Sequence, residues 1–212
     1  KFKSSNSDMF SPINEAINFE TAQIHEYMNL EFHDNDILFL SDISFPGIFP
    51  HVLFHKKPKK CFAFCHATSL NTYDYFESNR GYKFPIETSL SGLFDKVFVG
   101  SKYHQNKLGW RNTVVTYLPF PPIEPSPIID KKIDIISVSR PTKQKVDIEL
   151  ERAIEKRFNI KIQRPTSSTW DEYYHNLAKS KILLITSQED TFNYTVVDSI
   201  KNNTIVIAPN KL

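Results

Sequence analysis

The sequence predicts an α/β fold built on two parallel sheets, one on each side of a proline-rich segment. Short continuous apolar runs, such as residues 36–40 and 96–100, alternate with amphipathic stretches along the whole chain. Apolar runs of this kind are typical of parallel strands that are covered on both faces. Residues 118–130 contain five prolines, which remove backbone donors and fix φ, so neither a helix nor a central strand is expected there. We therefore expect an N-terminal domain at 1–117, a linker at 118–130 and a C-terminal domain at 131–212.

In the first half, Ser11 and Pro12 predict the start of a helix, and a second helix is predicted over about 21–30. The elements predicted after them are strands at 36–40, 61–65 and 96–100, a helix at 101–108 and a strand at 114–118.

The second half repeats the alternation. The predicted strands are 133–138, 159–162, 182–185 and 204–208, and the predicted helices are 146–157, 169–179 and 192–202. Ser168 or Thr169 is the expected N-cap of the middle helix, because acidic residues follow in its first turn. Two Rossmann-like halves of this kind are expected to face each other across a cleft.

Composition excludes several classes of protein. The chain has 212 residues and a net charge of +2, with 40% hydrophobic and 24% charged residues, which is typical of a globular protein. There is no apolar run long enough to span a bilayer, and the first residues contain no apolar signal region. The two cysteines, Cys61 and Cys65, share one apolar run and are expected to be buried hydrophobic residues. A reducing, cytoplasmic location is therefore expected.

Ligands of open parallel sheets bind beyond the carboxyl ends of the strands. The polar residues at these predicted ends are His66, Ser101, Arg140 and the segment 187–198.

The second half contains an ordered pair of motifs. Arg140 and Lys145 have R-x4-K spacing just after a predicted strand, and Asp190 and Asp198 have D-x7-D spacing within SQEDTFNYTVVDSI. Together they resemble the retaining, nucleotide-sugar-dependent glycosyltransferases with the GT-B fold (family 4, or group 1). His66 at a strand end and the segment FDKVFVGSKYHQNKL resemble the N-terminal domain of that family. The resemblance covers about residues 36–212.

The resemblance implies a role for each residue of these motifs. Arg140 and Lys145 would bind the donor diphosphate, in place of a metal ion, and stabilise the charge that develops on it. Asp190 would hold the donor sugar and Asp198 the ribose, and His66 would contact the sugar. The backbone N–H groups that would bind phosphate or sugar oxygens belong to Phe192, Asn193 and Tyr194. The expected donor is a UDP- or GDP-linked sugar, no cofactor is expected, and the acceptor is not identified.

The sequence departs from the family at several positions. Both family glutamates are aspartates here, and the two glycines of the family's G-F-G segment are Thr191 and Asn193. Thr191 tolerates positive φ poorly, which would restrict a close backbone approach to a ligand. Glu189 replaces Asp190 if the register differs by one residue. The first strand that the family carries near its N-terminus is not identifiable, so the N-terminal, acceptor-side domain is expected to be incomplete. The chain is shorter than two full domains require, so the C-terminal, donor-nucleotide domain is expected to be truncated and the chain to be a fragment or an abbreviated relative.

Each site residue also has a structural interpretation. Asp190 would be only a helix N-cap, for which Asp is a preferred residue, and Ser101 would be a simple helix cap. Trp170, Tyr173 and Tyr174 share a predicted helix, one face of which is expected to pack in the core, although the resemblance places the equivalent helix near the donor base. His51 and His55 have helical i, i+4 spacing, but no third ligand follows at a usual distance, so no metal site is expected.

Two other functions remain open. The first is a non-catalytic, degenerate Rossmann-like module that contacts a partner through the basic run at 55–60. A nucleic acid or an anionic lipid surface would suit this run, although a solvated turn is the simpler interpretation. The second is an α/β enzyme with a different nucleotide ligand.

Overall fold

The described residues form two four-stranded parallel sheets, each in its own unit. The computed structural model describes residues 14–44, 48–54, 57–72, 77, 80–117, 130–139, 142, 144–167 and 169–210. Contacts divide the chain into Lys1–Tyr117 (unit 1) and Leu118–Leu212 (unit 2). Most of the predicted linker, residues 118–129, lies outside the described residues. The predicted α/β class with two parallel sheets is confirmed.

In the part of unit 1 that the structure describes, four helices alternate with four strands. The elements are α1 (Asn14–Met28), β1 (Ile37–Leu40), α2 (Ile48–Phe54), β2 (Lys60–Cys65), α3 (Arg80–Ser91), β3 (Lys96–Val99), α4 (Lys102–Leu108) and β4 (Thr113–Val115). The strands lie in sequential order, β1-β2-β3-β4, and all pairs are parallel. The two helices predicted near the N-terminus are one helix, α1, in the described residues, and α2 and α3 were not predicted.

The core of unit 1 lies on one face of its sheet. Successive side chains of a strand point to opposite faces, so alternate residues such as Leu38, Ala63 and Val97 pack against the helices. The opposite face carries Phe62 and Phe98, whose ring centroids are 6.0 Å apart. One face is therefore aliphatic and the other is partly aromatic.

Unit 2 contains three helices and four strands among the described residues. The elements are β5 (Ile133–Ile136), α5 (Ile148–Phe158), β6 (Ile162–Gln163), α6 (Trp170–Ala178), β7 (Ser180–Leu184), α7 (Tyr194–Lys201) and β8 (Ile205–Ile207). All of them lie within a few residues of their predicted positions. The strand order is β6-β5-β7-β8, again with parallel pairs. Ile136, Leu177, Leu183 and Ile185 form the core.

Local sequence fixes the ends of several helices. Thr169 is the N-cap of α6, as one of the two predicted candidates, because its side chain accepts a hydrogen bond from the Glu172 N–H group. Helix α5 ends at Asn159 in the left-handed region (φ 52°), and α4 ends at Gly109 (φ 64°). Asn and Gly are the residues that adopt this conformation at least cost.

Candidate functional site

The carboxyl edge of the unit 2 sheet contains a point where the strand order reverses. Strands β5 and β7 are neighbours, and the connections that leave them run to opposite sides, towards β6 and β8 respectively. In open α/β sheets the crevice at such a point is the usual position of a ligand. The segments after β5 and β7 meet here and are joined by hydrogen bonds. The Gln188 N–H group donates to the Gln144 carbonyl (3.0 Å), and the Ser187 hydroxyl donates to the Lys145 carbonyl (3.1 Å).

Lys145 and Asp190 form an ion pair across these two segments. The Lys145 Nζ and Asp190 Oδ2 atoms are 2.8 Å apart, and the two side chains are 19% and 12% exposed. The Lys145 N–H group also donates a hydrogen bond to the Thr142 carbonyl (2.9 Å), which holds the backbone at Lys145 in place. The structure thus brings together Lys145, which is predicted to bind the diphosphate, and Asp190, which is predicted to bind the sugar.

Asp190 is not the N-cap of α7. That position belongs to Asn193, which has an extended backbone (φ −101°, ψ 95°), so the N-cap interpretation of Asp190 is wrong. Helix α7 begins at Tyr194, and Phe192 and Asn193 precede it. Neither Thr191 nor Asn193 has a positive φ angle. The lack of glycine at these two positions therefore imposes no backbone strain here.

Asp198 lies in α7 and is buried against α6. The Tyr173 hydroxyl donates a hydrogen bond to Asp198 Oδ2 (3.2 Å). Burial raises the pKa of Asp198, while the Tyr173 hydrogen bond and the Lys201 charge oppose this rise. Asp198 is thus a buried carboxylate that accepts a hydrogen bond from a neutral hydroxyl group.

Aromatic rings surround Asp198. The pKa values of Tyr174 and Tyr194 are raised, mainly by burial and to a smaller extent by the charge of Asp198. Both tyrosines therefore lie near this carboxylate. The Trp170 ring stacks on Tyr174, with centroids 6.0 Å apart and planes 25° apart. Trp170 is 51% and Tyr174 40% exposed, whereas Tyr173 is partly buried against the core of unit 2. The prediction that one face of this helix packs in the core is therefore confirmed for Tyr173, and the exposed Trp170 and Tyr174 lie outside that face.

Sequence reasoning missed a buried carboxylate below this edge. Glu151 of α5 is 0% exposed and accepts hydrogen bonds from the Ser137 hydroxyl after β5 (2.7 Å) and the Thr186 hydroxyl after β7 (3.2 Å). Arg164 Nε lies 2.7 Å from the same carboxylate. Glu151 therefore ties together the two segments that carry Lys145 and Asp190. It lies among charged residues of an amphipathic stretch, where glutamates are ordinarily solvated.

In unit 1, polar residues also follow the strands. His66 is exposed directly after β2, and its ring lies 4.5 Å from that of Phe64. The loop after His66 is tied to α3, because the Ser69 hydroxyl donates to Glu87 (2.6 Å). Ser101 is the N-cap of α4, as the structural interpretation predicts, and accepts a hydrogen bond from the His104 N–H group (3.1 Å).

Solved structures share this fold, although no family model and no curated protein matches the sequence. A mutant of S. aureus TarM in complex with fondaparinux, α-GlcNAc-glycerol and UDP aligns with a TM-score of 0.56 and 16% identity, over 77% of this chain and 39% of TarM. The pneumococcal O-GlcNAc transferase GtfA in complex with UDP and GlcNAc gives 0.55 and 15%, over 91% and 44%. Sucrose-phosphate synthase from Thermosynechococcus elongatus gives 0.55 and 12%, over 92% and 60%.

These structural neighbours are GT-B glycosyltransferases. The resemblance predicted from the sequence is thus confirmed at the level of the fold. The chain spans 39% to 60% of the length of these three proteins.

The GT-B comparison leaves the residue roles as predictions. Lys145, Asp190 and Asp198 lie in unit 2 and His66 in unit 1, whereas Arg140 lies outside the described residues. Glu189, the alternative to Asp190, is buried.

The remaining predictions concern metals, cysteines and the basic run. The described residues contain no group of three or more His, Cys, Asp and Glu side chains that would hold a metal ion. Cys61 and Cys65 are free and buried. His55 and Lys56 lie outside the described residues, and within the basic run Lys57 donates to the Leu93 carbonyl (3.1 Å). None of the helices searched, which were those of the described residues, is long and apolar enough to cross a membrane.

Proposed function

We propose that this chain is part of a glycosyltransferase that moves a sugar from a nucleotide-sugar donor to an acceptor, with retention of configuration. The observation that carries the proposal is the gathering of Lys145 and Asp190 at the reversal of strand order in unit 2. A cation and a carboxylate at this edge suit the two parts of a nucleotide sugar, its diphosphate and its sugar hydroxyls. Two of the structural neighbours were solved with UDP, which supports a nucleotide donor.

The proposed reaction breaks the bond between the anomeric carbon and the diphosphate oxygen. The bonding electrons leave with the diphosphate, and Arg140 and Lys145 stabilise its added negative charge without a metal ion. The acceptor oxygen forms the new bond to the anomeric carbon, and its proton passes to the leaving diphosphate oxygen. Asp190 and His66 hold the sugar, and the N–H groups near the start of α7 bind its oxygens or those of the phosphate.

Asp198 is proposed to accept hydrogen bonds from the ribose hydroxyls. Its low exposure and its neighbouring rings suit this role, because a nucleoside presents both hydroxyls and a flat base. The exposed faces of Trp170 and Tyr174 are of the type on which bases stack. The donor is expected to be UDP- or GDP-linked.

The experiment is calorimetric titration of the full chain with UDP, GDP and ADP, each alone and as its glucose conjugate, and with UDP-GlcNAc. We expect saturable binding of one nucleotide. Replacing the diphosphate ligands, in Arg140→Ala and separately in Lys145→Gln, should weaken that binding by about 1.5–3 kcal/mol, the scale of a charge-assisted hydrogen bond. The matched control is Lys181→Gln, which removes an exposed lysine of the same unit that pairs with Asp134. Unchanged affinity in both site variants would contradict the assignment.

A further inference from the structure

Lys145 and Asp190 neutralise each other, although the proposed function assigns them to different parts of the donor. The 2.8 Å ion pair occupies the Nζ group that would bind the diphosphate and the carboxylate that would bind the sugar. Both side chains are largely buried, so water screens their attraction less than it screens a surface pair. A diphosphate that approaches Lys145 therefore competes with Asp190 for the same ammonium group.

The backbone keeps the two partners close. The hydrogen bonds from Gln188 to Gln144 and from Ser187 to Lys145 join the two segments on either side of the pair. Glu151 joins them again below, through Ser137 and Thr186. These contacts hold the two segments side by side, so both side chains remain within reach of each other and the competition is built into this edge of the sheet.

We propose that Asp190 selects the nucleotide-sugar donor over the nucleoside diphosphate product, by competing with the diphosphate for Lys145 whenever the sugar is absent. This inference rests on the proposed function. With the donor bound, sugar hydroxyls satisfy Asp190, and Lys145 is released to the diphosphate. After transfer the sugar has left, Asp190 lacks those donors, and its charge returns to Lys145. The diphosphate product then loses part of its electrostatic attraction to Lys145, which favours its release.

The test compares UDP and UDP-GlcNAc affinities in the wild-type chain and in Asp190→Asn, or uses the nucleotide and conjugate that the first titration identifies. Asparagine has the same shape but no charge. We expect UDP to bind about three- to tenfold more tightly to the variant, the range expected when an opposing, partly exposed ion pair is removed. UDP-GlcNAc should gain less or bind more weakly, because its hydroxyls lose a charged acceptor. The affinity ratio therefore moves towards UDP.

A second substitution isolates the competition. In a Lys145→Gln background, Asp190→Asn should leave UDP affinity unchanged, because the contested ammonium group is gone. The control is Asp134→Asn, which neutralises the carboxylate of another Lys–Asp pair in unit 2, at an exposed strand position. It should change neither affinity. Asp190→Ser provides the same comparison if Asp190→Asn does not fold.

Other outcomes overturn the inference. UDP that binds Asp190→Asn no more tightly than wild type shows that the carboxylate does not oppose the diphosphate. Equal tightening of UDP and UDP-GlcNAc shows that Asp190 does not distinguish donor from product. If no nucleotide binds either protein, the proposed function itself fails, and the inference fails with it. The wild-type titration distinguishes that result from the first two.

Discussion

The two units are built from the same elements but differ in the order of their strands. In unit 1 the order is sequential, β1-β2-β3-β4, whereas in unit 2 the chain passes from β5 to one neighbour, β6, and then to the other, β7. Only the second arrangement, among the described strands, produces the reversal that opens a crevice at the carboxyl edge. The candidate donor residues Lys145 and Asp190 lie at that reversal. Polar residues follow strands in both units, but the ion pair between Lys145 and Asp190 lies at the reversal of strand order in unit 2. Strand order therefore accounts for the position of this pair.

The units also share a buried glutamate that holds the ends of strands. Glu87 accepts from the Ser69 hydroxyl (2.6 Å) and pairs with Lys83 (2.7 Å). Glu151 accepts from Ser137 and pairs with Arg164, in the same pattern. The difference is that Glu151 also reaches Thr186, so it joins two segments where Glu87 joins one loop to its helix.

The largest expected effect comes from Glu87→Ala. Lys83 and Glu87 are both nearly inaccessible to water, and breaking a buried pair by removing one partner costs about 3–5 kcal/mol. Unit 1 should lose that much of its free energy of unfolding. Urea denaturation followed by the fluorescence of Trp110, in a Trp170→Phe background, measures it, because each unit contains one tryptophan. Glu87→Gln, which keeps the shape, should cost less. A loss below about 1 kcal/mol in Glu87→Ala would contradict the comparison.

Glu151→Ala should destabilise unit 2 by less, about 2–3 kcal/mol, because Arg164 is one-third exposed and also pairs with Glu155. It should nevertheless weaken nucleotide binding, since the segments of Lys145 and Asp190 lose a shared anchor. Glu87→Ala should leave nucleotide affinity unchanged. Trp170 fluorescence during denaturation and calorimetric titration give the two quantities. Equal effects of both substitutions on affinity would remove the distinction between the units.

Sequence pattern predicted the strands better than the helices. Continuous apolar runs such as KCFAFC and KVFV identify these parallel strands directly, although only alternate residues of each strand are fully buried. Helix α3 was missed because Pro85 lies inside it and its buried face carries Lys83 and Glu87. A proline ordinarily ends or kinks a helix, and charged residues ordinarily indicate its solvated face. The buried ion pair, which a sequence does not display, reverses the second expectation.

The candidate site was predicted in position but not in its contacts. The R-x4-K and D-x7-D spacings direct attention to the edge of the unit 2 sheet at which Lys145 and Asp190 lie. Spacing along the chain does not show that Lys145 and Asp190 pair with each other, because their contact joins segments that follow two different strands. It also does not show that Tyr173 donates to Asp198, which depends on how α6 packs on α7.

The smallest expected effect is a shift in pH dependence on Tyr173→Phe. The lost hydroxyl no longer stabilises the Asp198 carboxylate, so the pKa of Asp198, already raised by burial, rises further. In the variant, the Asp198 carboxylate is therefore protonated at a higher pH than in the wild type. Protonation removes the negative charge that is proposed to accept hydrogen bonds from the ribose hydroxyls. UDP affinity, measured from about pH 4 to about pH 8, should therefore fall earlier on acidification and match the wild type at the alkaline end. The control in the other unit is Tyr27→Phe, since Tyr27 is also buried and burial raises its pKa to about 12. A uniform loss of affinity at every pH in Tyr173→Phe would instead indicate that Tyr173 contributes only packing.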